Sequence, residues 1–168
     1  MGLCPQEDGG MLEHFSSLDD QLAVGSFPHA PEHVTFLKEH GISSVVNLQS
    51  DRDLGTLGVV WPIMWQFYVR EGVRVARVPV IDFDRKDLLR CLDEAVEAIA
   101  DSVGAGKKTY VHCSAGMNRS PTSIIAFLMA HRDQTLKDAM AWVGERHRCI
   151  PYPDVLESWA QRRGLPLS

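Results

Sequence analysis

Apolar positions along the chain follow two patterns, a three-to-four-residue recurrence and short unbroken runs. From Lys86 to Val103 the residues Leu88, Leu92, Val96, Ile99 and Val103 fall on one helical face, which predicts a long amphipathic helix. β-Branched and apolar runs between turn signals predict strands at Ser44–Leu48, Val73–Val80 and Thr109–His112. Pro31 near a start and Gly41 past an end predict a helix from Pro31 to about His40. Further helices are expected over residues 59–71, Pro121–His131, Leu136–His147 and Asp154–Arg163. Residues 12–24 read as two short strands about a turn at Ser16–Asp20, and Gln49–Asp53 as a polar loop. Strands alternating with helices predict a small α/β domain: a mostly parallel, twisted central sheet flanked by helices.

Composition narrows the function. A chain of 168 residues, 45% hydrophobic, can bury one core, so a single domain is expected over residues 11–168 behind a flexible 1–10. The net charge of −5 argues against a nucleic-acid or anionic-membrane surface, and no apolar stretch approaches a membrane span. Cys4, Cys91, Cys113 and Cys149 match no zinc spacing and follow no secretory leader, which points to a reducing, cytoplasmic setting. Gln6 stands where myristoylation wants Ser or Thr, so Gly2 does not read as a lipidation site.

The chemistry sits in His112-Cys113-Ser114-Ala115-Gly116-Met117-Asn118-Arg119-Ser120, between a predicted strand and a predicted helix. Successive backbone N–H groups there can curl into an anion cradle at the helix N-terminus, with residues 114–119 around a phosphate. The same positive field favours a thiolate nucleophile at Cys113. Arg119, six residues on, can fold back and bind two phosphoryl oxygens through its planar fork. Ser120 can hydrogen-bond the sulfur and ease its departure, and His112 can orient the loop through the backbone. A leaving group needs a proton, and Asp82 and Asp84 follow the preceding strand. Asp82 is read as the general acid and Asp84 as the cap of the next helix. No metal or cofactor is required.

His-Cys, five residues, then Arg-Ser resembles the signature of the protein tyrosine phosphatase superfamily, and the short length resembles its dual-specificity branch. The Asp82-to-Cys113 interval matches that branch. Val24-Gly25-Ser26, Asn47-Leu48-Gln49 with Asp51 and Asp53, Asp82-Phe83-Asp84, Tyr110 to Cys113, Ala115-Gly116-Met117 and Arg146 to Pro151 are similar to laforin and the plant glucan phosphatases. That resemblance implies a phosphorylated α-glucan as substrate. It also implies aromatic residues that stack on sugars: Phe83 beside the acid, with Trp61, Trp65 and Tyr152 as stand-ins for family aromatics replaced here by Thr56, Leu57 and Ile150. Trp61 and Trp65, four residues apart on a helix, could equally be core packing. Asn118 occupies a position that is usually Gly in the family.

Two other readings share these residues. A dual-specificity protein phosphatase acting on phosphotyrosine, phosphoserine or phosphothreonine would use the same loop and acid. A catalytically silent glucan- or phosphoprotein-binding domain would keep the cradle alone. A phosphoinositide phosphatase is disfavoured, because residues 114–118 contain no Lys to meet extra phosphates.

Overall fold

The computed structural model describes residues 11–168; the expected flexible segment 1–10 and Cys4 lie outside the described residues. Five strands, β1 (Ser16–Ser17), β2 (Leu22–Gly25), β3 (Ile42–Gln49), β4 (Arg74–Val80) and β5 (Lys108–His112), form one sheet in the order β1-β2-β5-β3-β4. Only β1 is antiparallel to its neighbour. The helices are α1 (Pro31–Glu39), α2 (Asp51–Thr56), α3 (Trp61–Arg70), α4 (Arg85–Gly104), α5 (Arg119–His131), α6 (Leu136–Arg146) and α7 (Pro153–Arg163).

Strand alternation builds two cores. Successive strand side chains point to opposite faces, so Val24, Val46, Val80 and Val111 go to one side and Ala23, Val45, Val75 and Tyr110 to the other. The first side is covered by α4, whose Leu88, Leu92, Val96 and Ile99 are the predicted stripe, with α5, α6 and α7. The second is covered by Val34 and Leu37 of α1 and Met64 and Tyr68 of α3. α5 is buried nearly all round, as its apolar run requires.

Two local expectations are corrected. Ser16–Ser17 forms β1 rather than part of a turn. The chain reverses just after it, where Asp19 Oδ1 accepts from the N–H groups of Gln21 and Leu22 at 2.8 Å each. Gln49–Asp53 is not a loop throughout: Gln49 closes β3 and α2 starts at Asp51. Ser50 and Asp53 form a reciprocal capping box that starts that helix.

All four parallel strands run the same way, so their C-terminal ends lie along one edge of the sheet. Gly25 and Asn47 flank His112, and Gln49 pairs with Val80. Chain crossovers leave that edge open, the usual place for a ligand in such sheets.

Candidate active site

The Cys113–Asn118 loop leaves β5 at this edge and enters α5, and its shape is fixed by bonds to other elements. Ser114 O accepts from Phe27 N–H at 3.1 Å, and Met117 O accepts from Ile150 N–H at 2.8 Å. Gly116 O accepts from His147 Nε2 at 2.7 Å. A trans peptide points each N–H opposite to the preceding carbonyl, so the N–H groups of Ala115, Met117 and Asn118 turn away from Phe27, His147 and Ile150. Backbone N–H groups so turned, beside the N-terminus of α5, have the arrangement an anion cradle needs.

Gly116 is required twice. Its φ of +72° suits glycine, and a Cβ there would meet the backbone of Gly25 at 2.5 Å. Gly25 is equally closed to a side chain, with His14 O 2.6 Å from the ideal Cβ position. The loop and β2 therefore touch backbone to backbone. Asn118 has a negative φ of −123°, so this position makes no demand for Gly. Its Nδ2 instead donates to Ile150 O at 2.6 Å, a second tie to the same residue that holds Met117.

Cys113 is 3% exposed at the base of the cradle, with Sγ 3.3 Å from Ser120 Oγ. His112 is buried, and its Nδ1 bonds Cys113 O at 2.9 Å. Burial pushes its pKa down to about 4, aided by the nearby Arg119 and Arg77 charges against that backbone bond. The ring is neutral at pH 7 and donates from Nδ1. His147, which clamps Gly116, is also held below the ordinary imidazole value by burial. Its Nδ1 lies 2.7 Å from Ser16 Oγ.

Arg119 is 2% exposed, a buried cation that must be paired. Its NH1 donates to Asp53 Oδ2 at 2.6 Å and to Val80 O at 2.8 Å; its NH2 reaches Ser114 Oγ at 3.3 Å and Asp82 Oδ2 at 3.2 Å. Burial raises the Asp53 carboxyl, but hydrogen bonds and charge from Arg119, with bonds from Ser50, hold it below the ordinary carboxylate value. Asp53 was not among the residues singled out for chemistry. The Ser50-x-x-Asp53 spacing announces a helix start, and no sequence signal ties it to Arg119.

Asp82 stands in a tight turn after β4. Its Oδ1 accepts from Phe83 N–H at 3.0 Å, and Phe83 takes a left-handed φ of +60°. A non-glycine residue in that region is uncommon and marks strain at a site. Asp84 caps α4, accepting from Asp87 N–H at 2.9 Å, while Asp87 Oδ2 accepts from Ile81 N–H at 2.8 Å. The turn is thereby tied at both ends, and the Phe83 side chain projects with 81% exposure.

A cavity of about 450 Å³ opens in front of the cradle, lined by Ser50, Arg52, Asp53, Thr56, Leu57, Ile81, Asp82, Phe83 and Ser114. Of the four aromatic residues expected to meet a sugar, Phe83 alone lines it. Trp61 is packed on the second core with the Arg77 guanidinium 5.1 Å from its ring centroid, which is the packing alternative. Trp65 is exposed on α3 but not part of this cavity. Tyr152 is 8% exposed, with the Arg85 guanidinium 4.6 Å from its ring centroid, so it offers a ligand little open face. Two positions one helical turn apart point to different surroundings once α3 is docked, and Tyr152 is drawn inward as the residue preceding α7. Among the described residues no three His, Cys, Asp or Glu side chains gather as a metal would need, and no helix is long and apolar enough to cross a membrane.

Residues 22–156 match the family described as dual specificity phosphatase, catalytic domain. The chain belongs to the dual-specificity phosphatase family. Among curated relatives, it is 28% identical over 149 residues to the phosphoglucan phosphatase DSP4 of Castanea sativa, covering 88% of this chain and 40% of that one. It is 28% identical over 131 residues to laforin of Mus musculus, covering 71% and 40%. The chain thus spans well under half the length of these two relatives. Among solved structures, PTPMT1 superposes with a TM-score of 0.71 at 18% identity, covering 88% of this chain and 94% of that one. Tk-PTP in its active form gives 0.69 at 26%, covering 90% and 99%. Both superpositions show a shared fold, the mostly parallel sheet flanked by helices.

Proposed function

We propose that this domain hydrolyses phosphoric monoesters through a cysteinyl-phosphate, with phosphorylated α-glucan as the substrate. The observation that carries the chemistry is the convergence of Cys113 Sγ, Ser120 Oγ, the Arg119 fork and the Asp82 carboxyl group, which enters the cycle protonated, on one backbone loop. The Cys113 thiolate attacks phosphorus, forming an S–P bond as the ester P–O bond breaks, and Asp82 gives its proton to the leaving oxygen. Water then attacks phosphorus, giving a proton back to Asp82, and the S–P bond breaks to return the thiolate, steadied by Ser120. Arg119 and the cradle N–H groups neutralise charge on the equatorial oxygens throughout.

The glucan reading is supported by Phe83, an exposed ring at the lip next to the acid, where a glucosyl face can stack while its phosphate enters the loop. Relatives named as phosphoglucan phosphatases and laforin support it further. A nucleophilic thiolate needs a reducing compartment such as the cytoplasm.

The test is phosphate release from solubilised phosphorylated amylopectin, a phosphotyrosine peptide and a generic aryl phosphate, by wild type and Cys113→Ser. Hydrolysis of all esters should disappear in Cys113→Ser, and the glucan should be preferred to the aryl phosphate. Cleavage of the aryl phosphate and peptide alone would give the domain to the protein-phosphatase reading. No cleavage by wild type would leave a binding domain.

A further inference from the structure

Two carboxylates share Arg119, and they hold different edges of its guanidinium. Asp53 sits on NH1, the nitrogen that also bonds Val80 O; Asp82 sits on NH2, beside Ser114. Nε, on the same edge as NH2, is buried with no partner among the described residues. A planar guanidinium binds two phosphoryl oxygens through one edge at a time, and the Nε–NH2 edge is the one left to the cradle.

Asp53 is itself fixed before Arg119 reaches it. The oxygen that accepts from NH1 also accepts from Ser50 N–H at 2.9 Å, and Ser50 Oγ accepts from Asp53 N–H at 3.2 Å. The first turn of α2 thus presents a rigid carboxylate to the rear of the guanidinium. An arginine held from behind loses less freedom when it clamps a phosphate.

We propose that Asp53 is a positioning residue: by pinning NH1 it turns the Nε–NH2 edge of Arg119 toward the phosphoryl group. This inference rests on the phosphatase reading above. Its effect acts on the phosphoryl group itself, so it does not depend on how good the leaving group is, whereas the contribution of Asp82 does.

The experiment compares wild type, Asp53→Asn, Ser50→Ala and Asp82→Asn on two aryl phosphates, one with a good and one with a poor leaving group. Inhibition by orthovanadate, which mimics the five-coordinate transition state, and by inorganic phosphate is measured beside it. Asp53→Asn should lower kcat/KM roughly 10²-fold on both esters, the scale of a misplaced catalytic group. It should weaken vanadate more than phosphate, since the clamp acts most on the transition state. Ser50→Ala, which loosens the helix cap and leaves the carboxylate with its Ser50 N–H bond, should lose less than Asp53→Asn and equally on both esters, and Asp82→Asn should fail mainly on the poor leaving group. Unchanged activity in Asp53→Asn, a loss confined to the poor leaving group, or an equal loss in Ser50→Ala would each overturn the proposal. If Asp53→Asn folds too poorly to assay, Asp53→Glu keeps the charge but displaces it. A smaller loss, equal on both esters, supports the role, and a loss only on the poor leaving group defeats it. A wild type inactive on both esters would instead remove the phosphatase reading itself.

Discussion

The carbonyls of Ser114, Gly116 and Met117 each find a partner on another element, whereas the facing rim presents Leu57, Ile81 and Phe83 to solvent. On the loop side, residues from β2's exit, the end of α6 and the approach to α7 converge, and the Gly25–Gly116 contact leaves no room for a methyl group. On the rim side, a single strained turn carries Phe83, and α2 is less than two turns long. The loop is thus held by the whole domain and the rim by short local segments. Changes in the loop should cost turnover on every substrate, and changes in the rim should alter which substrate is chosen.

The sharpest test of the loop is Arg119→Lys, which keeps the charge and removes the fork. It should lower kcat roughly 10²–10³-fold on aryl phosphate, peptide and glucan alike, the scale of losing an oriented transition-state donor. Steady-state kinetics on the three substrates would show it, and a loss on one substrate only would contradict a loop-wide role. Gly116→Ala attacks the same loop through its backbone. The left-handed φ and the clash with Gly25 should together cost about 3 kcal/mol, read as a lowered denaturation midpoint, with activity falling on all substrates.

Proton uptake separates the two regions as well, because the two buried imidazoles bond carbonyls of the loop. His112 and His147 both have native pKa values below that of a free imidazole. The unfolded chain binds protons below about pH 6.5 that the native rings refuse, so stability falls as pH drops from there toward 4, by about 3 kcal/mol for His112. Asp53, with a depressed carboxyl, adds stability that is present above its ordinary value and lost only at lower pH. Denaturant unfolding at pH 7 and pH 4.5 should show this drop, and His112→Asn should shrink it.

The rim yields smaller effects. Phe83→Ala should cut glucan hydrolysis about tenfold while leaving aryl phosphate turnover near wild type, the loss of one stacking contact. Equal losses on both would mean that Phe83 serves the acid's turn rather than the sugar. Trp65→Ala, outside the cavity, should change neither rate.

Much of this site could be read from local pattern. Cys113, Arg119 and Ser120 lie within one strand-loop-helix unit, and every one of their relations is a short sequence interval. The α4 stripe and the β-branched runs likewise carry their own periodicity, and Asp84 is a cap by position. Asp53 escaped because its partner is far along the chain: a helix-start motif looks the same whether or not an arginine lies behind it. The placement of the aromatic stand-ins was hidden for the same reason, since nothing local tells which of Trp61, Trp65 and Tyr152 would face the cavity.

From sequence alone, then, most of the chain's strands and helices, though not α2, and the residue pattern of its central loop were legible, because both depend on neighbours a few residues apart. Only the packing of the parallel sheet decided that the ends of β2, β3, β4 and β5 meet at one edge. That meeting decides which carboxylate faces which edge of Arg119, and which aromatic residue faces solvent at the cavity. Long-range burial and charge pairing set those outcomes, and they have no periodicity for a sequence to display.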